Sequence, residues 1–280
     1  MNRRSLSRRA RTPMTLMATA TVAAALFAAS VGPASAGKAP SPQHRKPTVV
    51  LVHGAFADST SWNGVIAKLK HEGYPVIAPA NPLRGLSSDA AYLKELLASI
   101  DGPVVLAGHS YGGSVISNAA KGADNVKALV YVAAFLPEKG ESAVELSGKF
   151  PGSTLGDALR PVPITQPDGK KGADLYIEPS KFHHQFAADV PKSTTDLMAV
   201  TQRPVTNAAL EEGASEPAWK TIPSWVLVAT QDLNIPPKVQ EFMAERAKAH
   251  VVKVRASHAV SVSHPKDVAG IIESAAHSVR

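Results

Sequence analysis

Six short apolar runs, most of them rich in valine, alternate along this chain with stretches of helical periodicity, and that alternation limits the fold more than any other feature. The runs are Thr48–His53, Pro75–Ala80, Val104–Gly108, Val126–Ala133, Ser224–Thr230 and Val251–Ala256. They are continuously apolar rather than alternating, the pattern of strands buried on both faces of a parallel sheet. Helical patterns cover Trp62–Glu72, Ser88–Ile100, Ser110–Lys121, Pro237–Ala249 and Pro265–Ser278. Strand and helix in turn predict an α/β architecture: a mostly parallel, six-stranded, doubly wound sheet joined by right-handed crossovers.

One region breaks the rhythm. Residues 137–219 are rich in Pro, Gly and charge and contain no convincing buried strand. This segment reads as a largely helical lid inserted between two strands, so that 47–136 and 220–280 form the core. Residues 37–46 read as a polar linker. Residues 1–36 combine a basic start, an apolar alanine-rich stretch and a small-residue Ala34-Ser35-Ala36 site. This is the pattern of a signal peptide removed on export to the periplasm or beyond. Arg3-Arg4 leaves twin-arginine export open beside the general secretory route. No stable membrane insertion is expected after cleavage.

The chain of 280 residues suits one substantial domain carrying an insertion. It has no cysteine, which removes disulfides, thiolate catalysis and cysteine-ligated metals together. The formal net charge is +7, but five arginines and no acid lie in residues 1–36. The remainder holds 25 basic and 23 acidic residues, a net of +2, so nothing in the body of the chain suggests nucleic-acid binding.

The chemistry is carried by Gly108-His109-Ser110-Tyr111-Gly112, which follows an apolar strand and opens a helix. This is G-x-S-x-G in the strand–turn–helix context it requires. A nucleophile on so sharp a turn needs neighbours without bulk, and Gly108, Gly112 and Gly113 supply that clearance. Serine needs a base, and the base an orienting acid, in the chain order Ser, acid, His. Asp232 lies just past one strand and His258 just past the last, where the functional face of such a sheet lies. His264 is the weaker candidate for the base, Asp189 and Asp196 are poor candidates for the acid, and His109 reads as a shaper of the turn. The backbone N–H groups of Ala55 and Tyr111 are the candidate oxyanion donors. Phe56, Phe182, His183, Phe186 and Trp219 are candidates for the substrate pocket wall. The His183-His184 pair lacks a carboxylate cluster, so no metal is expected.

The segments LVHGAFADSTSW, APANP, GHSYGG, YVAAFLPEKGES, ATQDLNIPP and ASHAVSVSHP resemble the branch of the α/β-hydrolase superfamily that contains plant methyl esterases, hydroxynitrile lyases and many bacterial esterase-like proteins. The resemblance runs over roughly residues 47–280 and is weakest in the lid. It implies Ser110, Asp232 and His258 as a catalytic triad, the Ala55 and Tyr111 amides as the oxyanion hole, and no cofactor. The plant lyases lack the glycine of the His-Gly pair, and Gly54 is present here, which turns the expectation towards hydrolysis of a small-molecule ester. The alternatives are lyase-like or cofactor-free perhydrolase chemistry on the same triad, or a non-catalytic binder of a small ligand. Natural substrate and oligomeric state are not legible in the chain.

Overall fold

The structure is a computed structural model that describes residues 46–166 and 169–279. The signal peptide assigned to residues 1–36, and the linker up to residue 45, lie outside the described residues. The chain runs β1 (Thr48–Val52), α1 (Asn63–His71), β2 (Val76–Ile77), α2 (Leu86–Ala98), β3 (Val104–His109), α3 (Tyr111–Ala119) and β4 (Val126–Val132). An insertion follows, with α4 (Ala143–Ser147), α5 (Leu155–Ala158), β5 (Leu159–Thr165), β6 (Lys171–Ile177), α6 (Pro179–Phe186), α7 (Lys192–Thr201), β7 (Val205–Thr206) and α8 (Asn207–Glu211). The core resumes with β8 (Ser224–Ala229), α9 (Pro237–Arg246), β9 (His250–Val254), α10 (Val260–Ser263) and α11 (Pro265–Ser278).

Among the described residues the main sheet has six parallel strands in the order β2-β1-β3-β4-β8-β9. The predicted six-stranded parallel sheet is therefore present. Alternate residues of the central strands feed two separate cores. Val50, Val52, Leu106, Leu129 and Tyr131 meet α2, α3 and α9 on one face. Val49, Leu51, Val105, Ala107 and Val130 meet α1 and α11 on the other. Two buried faces explain why these strands read as continuous apolar runs. The last strand departs from that reading. β9 lies at the sheet edge, where Val251 and Val252 are each 44% exposed. Its apolar composition reflects strand preference more than burial.

The chain starts at β1, goes outward to β2, then crosses back over β1 to β3. This reversal creates a crevice at the carboxyl ends of β1 and β3, where ligands bind in open α/β sheets. The close approach of α3 to β1 defines its floor. A Cβ on Gly112 would lie 2.5 Å from the Val52 carbonyl oxygen and 3.0 Å from that of His53.

The insertion is not only helical. β5, β6 and β7 form a three-stranded antiparallel sheet. Pro161 and Pro163 made β5 read as loop, but β5 is an edge strand, the one sheet position where proline is tolerated. Its residues are half-buried at best, so no buried run marks it. Arg84, just before α2, ties this sheet to the core through Asp174 on β6 at 2.6 Å and the Pro204 carbonyl at 2.7 Å. No helix among the described residues is long and apolar enough to cross a membrane.

Gly112→Ala tests the packing of α3 on β1. Alanine gains roughly 0.5–1 kcal/mol of helix preference, but overpacking against fixed backbone costs roughly 1–3 kcal/mol. The expected outcome is net destabilisation, read as a lower denaturation midpoint with an unchanged m-value. A midpoint at or above wild type would remove the close-approach argument.

Candidate active site

The end of β3 turns sharply into α3 at Ser110, which has φ 54° and ψ −126°. Such a conformation costs a non-glycine residue of order 1–3 kcal/mol and persists only where its surroundings impose it. Here the Ser110 carbonyl accepts hydrogen bonds from the Gly113 N–H at 2.9 Å and the Phe135 N–H at 3.2 Å. The side chain is thereby held at the N-terminus of α3, among unpaired backbone donors. Ser110 Oγ has no hydrogen-bond partner among the described residues and faces a cavity.

Asp232 follows β8 and His258 follows β9, and tertiary structure brings them together. His258 Nδ1 donates to Asp232 Oδ2 at 2.7 Å, with both side chains essentially inaccessible to solvent. The other Asp232 oxygen accepts the N–H groups of Asn234 at 2.7 Å and Ile235 at 3.0 Å. Gln240 Nε2 adds a bond to Oδ2 at 3.0 Å. With Nδ1 turned to the carboxylate, Nε2 is the ring nitrogen left free of Asp232. The loop carrying His258 is bound to the Ser110 turn through His109, whose Nε2–H donates to the His258 carbonyl at 2.9 Å. The two imidazole rings lie 4.7 Å apart.

The expected oxyanion donors belong to Ala55 and Tyr111, which line the same cavity as Ser110. Tyr111 is the first residue of α3, so its N–H has no carbonyl one turn back in the helix. The Ala55 N–H has no hydrogen-bond partner among the described residues. The peptide carrying it is fixed by His53. His53 Nε2 accepts the Asn81 N–H at 2.9 Å, so Nδ1 must carry the proton, and it donates to the Gly54 carbonyl at 2.9 Å. That carbonyl belongs to the same planar peptide as the Ala55 N–H, so holding one end aims the other. Gly54 is needed for the approach: a Cβ there would lie 2.6 Å from Ser110 Cβ and 3.2 Å from Oγ.

Beside Ser110 is a cavity of about 230 Å³, lined by Phe56, Phe135, Ala143, Leu155, Leu210 and Ile235 among others, and none of the described residues lining it is charged. Of the candidate wall residues, only Phe56 lines it. Phe182 and Phe186 stack on each other at 5.0 Å in the core, and Phe186 sets its ring edge against His258. His183 bonds Thr195 at 3.1 Å, and Trp219 donates to the Pro137 carbonyl at 2.9 Å. All four have packing roles; a helical pattern containing aromatics does not say which face looks into a cavity. His264 and Asp189 meet each other at 3.5 Å, outside the Asp232–His258 pair, and Asp196 pairs with Lys192 on the surface. The sequence did not single out Asn81, Gln240 or Asp89. Asp89 is buried and accepts the Tyr111 hydroxyl at 2.9 Å. A buried amide or carboxylate on a helix leaves no local trace, because its partner lies on another element.

Burial sets the protonation of this region. Desolvation lowers the His109 pKa well below its ordinary 6.5, and repulsion from His258 adds to it. Desolvation likewise lowers that of His53. Both rings are therefore neutral donors and acceptors. A folded-state pKa below the unfolded value means that stability is full above about pH 6.5 and is lost as pH falls from there towards the folded value. The melting temperature should fall between about pH 7 and pH 5. His109→Gln keeps a donor for the His258 carbonyl but does not titrate, so its decline over that range should be shallower in calorimetry. An identical slope would show that His109 makes no contribution.

Comparison with known proteins identifies the family and the fold. Residues 49–271 match the family model described as "Alpha/beta hydrolase family". The chain is 26% identical over 255 residues to alpha/beta hydrolase nvfD of Aspergillus novofumigatus, covering 82% of this chain and 97% of that one. It is 26% identical over 236 residues to methylesterase 2 of Arabidopsis thaliana, covering 76% and 88%. The crystal structure of polyneuridine aldehyde esterase superposes with a TM-score of 0.72 at 19% identity, covering 82% and 99%, a likeness of fold. The protein belongs to the alpha/beta hydrolase family.

Proposed function

We propose that this protein is a serine esterase that cleaves small, neutral carboxylic esters through an acyl-enzyme on Ser110. The observation that carries the reading is the buried His258–Asp232 pair beside the Ser110 turn. Names among the relatives support the ester class: methylesterase 2 is one of them. His258 Nε2 takes the Ser110 proton as Oγ attacks the ester carbonyl, and Asp232 stabilises the imidazolium that forms. The oxyanion rests on the Ala55 and Tyr111 amides, aimed before reaction begins. The protonated base then gives its proton to the leaving alcohol, and water enters by the reverse sequence. Hydrogen bonds between nucleophile and base in such sites commonly tighten only in the complex with substrate.

The cavity favours an apolar acyl group, since a carboxylate buried there would be stripped of water with no charged partner among the described lining residues. Its volume is about 230 Å³. The leader supports a further part of the reading, export from the cytoplasm. N-terminal sequencing of the exported chain should read from Gly37, and retention of the first 36 residues would remove that part alone.

The decisive assay is hydrolysis of p-nitrophenyl esters from acetate to octanoate. Wild type should turn over the shorter members and Ser110→Ala should fall to near background. Asp232→Asn should lower kcat by roughly 10⁴ by imposing the wrong imidazole tautomer. Full activity in Ser110→Ala would end the nucleophile assignment. Inactivity of wild type across the series would end the ester reading.

A further inference from the structure

The insertion does more than roof the cavity. Just past the end of α6, Asp189 reaches the base loop: its carboxylate accepts the Ser257 N–H at 3.2 Å and also the Ser257 hydroxyl. Three residues earlier the Phe186 carbonyl accepts the Ala259 N–H at 3.0 Å. Both neighbours of His258 are therefore held from the insertion, while the Phe186 ring packs its edge against the imidazole.

The same helix end also holds the acid loop. Gln185, 4% exposed, bonds the Leu233 carbonyl at 3.0 Å. A carbonyl can only accept, so the Gln185 atom facing it is the amide nitrogen. Its oxygen is then turned to the Thr154 hydroxyl at 2.8 Å, and the Asn234 atom 2.8 Å from Nε2 must be Oδ1. Asn234 in turn gives its backbone N–H to Asp232 Oδ1. A continuous chain thus runs from Thr154 through Gln185 and Asn234 to the acid.

We propose that residues 185–189 are a brace that sets the relative position of Asp232 and His258, with Asp189 as the positioning residue for the base. The proposal rests on the triad reading above. It follows that α6 does not lift to admit substrate, because lifting would break the bonds on both loops. Access to Ser110 lies instead between α4 and α5, where Val144 lines the cavity and is 52% exposed. The base loop needs such a hold because it lies outside any strand or helix. A displacement of about 1 Å between reacting groups can lower a rate by roughly a hundredfold.

The test uses the mature chain with Asp189→Ala and Asp189→Asn, read by ester kinetics and by amide hydrogen exchange. Asp189→Ala should lower kcat by about tenfold to a hundredfold with KM unchanged, and should speed exchange at Ser257 and Ala259 while core amides keep their protection. Asp189→Asn should recover most of kcat, since its amide oxygen can accept the Ser257 N–H and its nitrogen can donate to the hydroxyl. The brace is overturned if Asp189→Ala keeps wild-type kcat and wild-type exchange at Ser257. It is equally overturned if both variants lose kcat alike together with protection throughout the core, the mark of a structural role only. If wild type cleaves no ester, the esterase reading falls, and exchange at Ser257 and Ala259 alone decides the brace.

Discussion

The buried Asp232 carboxylate is the constraint on which the rest of the site depends. Removing an ion of this size from water carries a penalty of several kcal/mol, repaid only by close and well-directed donors. Asp232 has four of them: two backbone N–H groups from the turn that follows it, the Gln240 amide and His258 Nδ1. Two donors come from residues 234 and 235, so the turn after β8 must fold tightly around the carboxylate. The third requires α9 to begin at Pro237, which places Gln240 in reach. The fourth pins the imidazole and leaves its basic nitrogen free.

Three histidines lie close together, and hydrogen bonding gives each a different task. His53 is proton-bearing on Nδ1 and fixes the peptide that carries the Ala55 N–H. His109 is proton-bearing on Nε2 and ties the nucleophile turn to the base loop. His258 is oriented by the acid. With the ring centroids of His109 and His258 only 4.7 Å apart, a permanent charge on His109 would oppose any charge on His258. Burial keeps His109 neutral and removes that conflict.

Much of this was legible in the chain because it is written in local signals. The strand–turn–helix around Ser110 is encoded by an apolar run, three glycines and a helical pattern within about a dozen residues. Asp232 and His258 could be found because each directly follows a strand run, and strand ends share one face of a parallel sheet. The signals failed where burial is set by distant chain. Phe182, Phe186 and Trp219 look like pocket aromatics in sequence, but their partners turn them into core and into the Pro137 carbonyl. The prolines of β5 hid a strand whose edge position makes them harmless. The apolar β9 is exposed because nothing covers that edge among the described residues.

The sequence by itself therefore determined the parallel sheet and the sharp turn at Ser110, and it placed Asp232 and His258 just past strand ends, since each of these rests on periodicity or on position relative to a strand. Only the tertiary structure decided how those groups are held: Asn81 on His53, Gln240 on Asp232, and Gln185 with Asp189 on the two catalytic loops. The reason is physical. Periodicity and turn chemistry act between residues a few positions apart, whereas a buried polar group is satisfied by whatever donor or acceptor folding brings to it, here across separations of up to 149 residues in sequence.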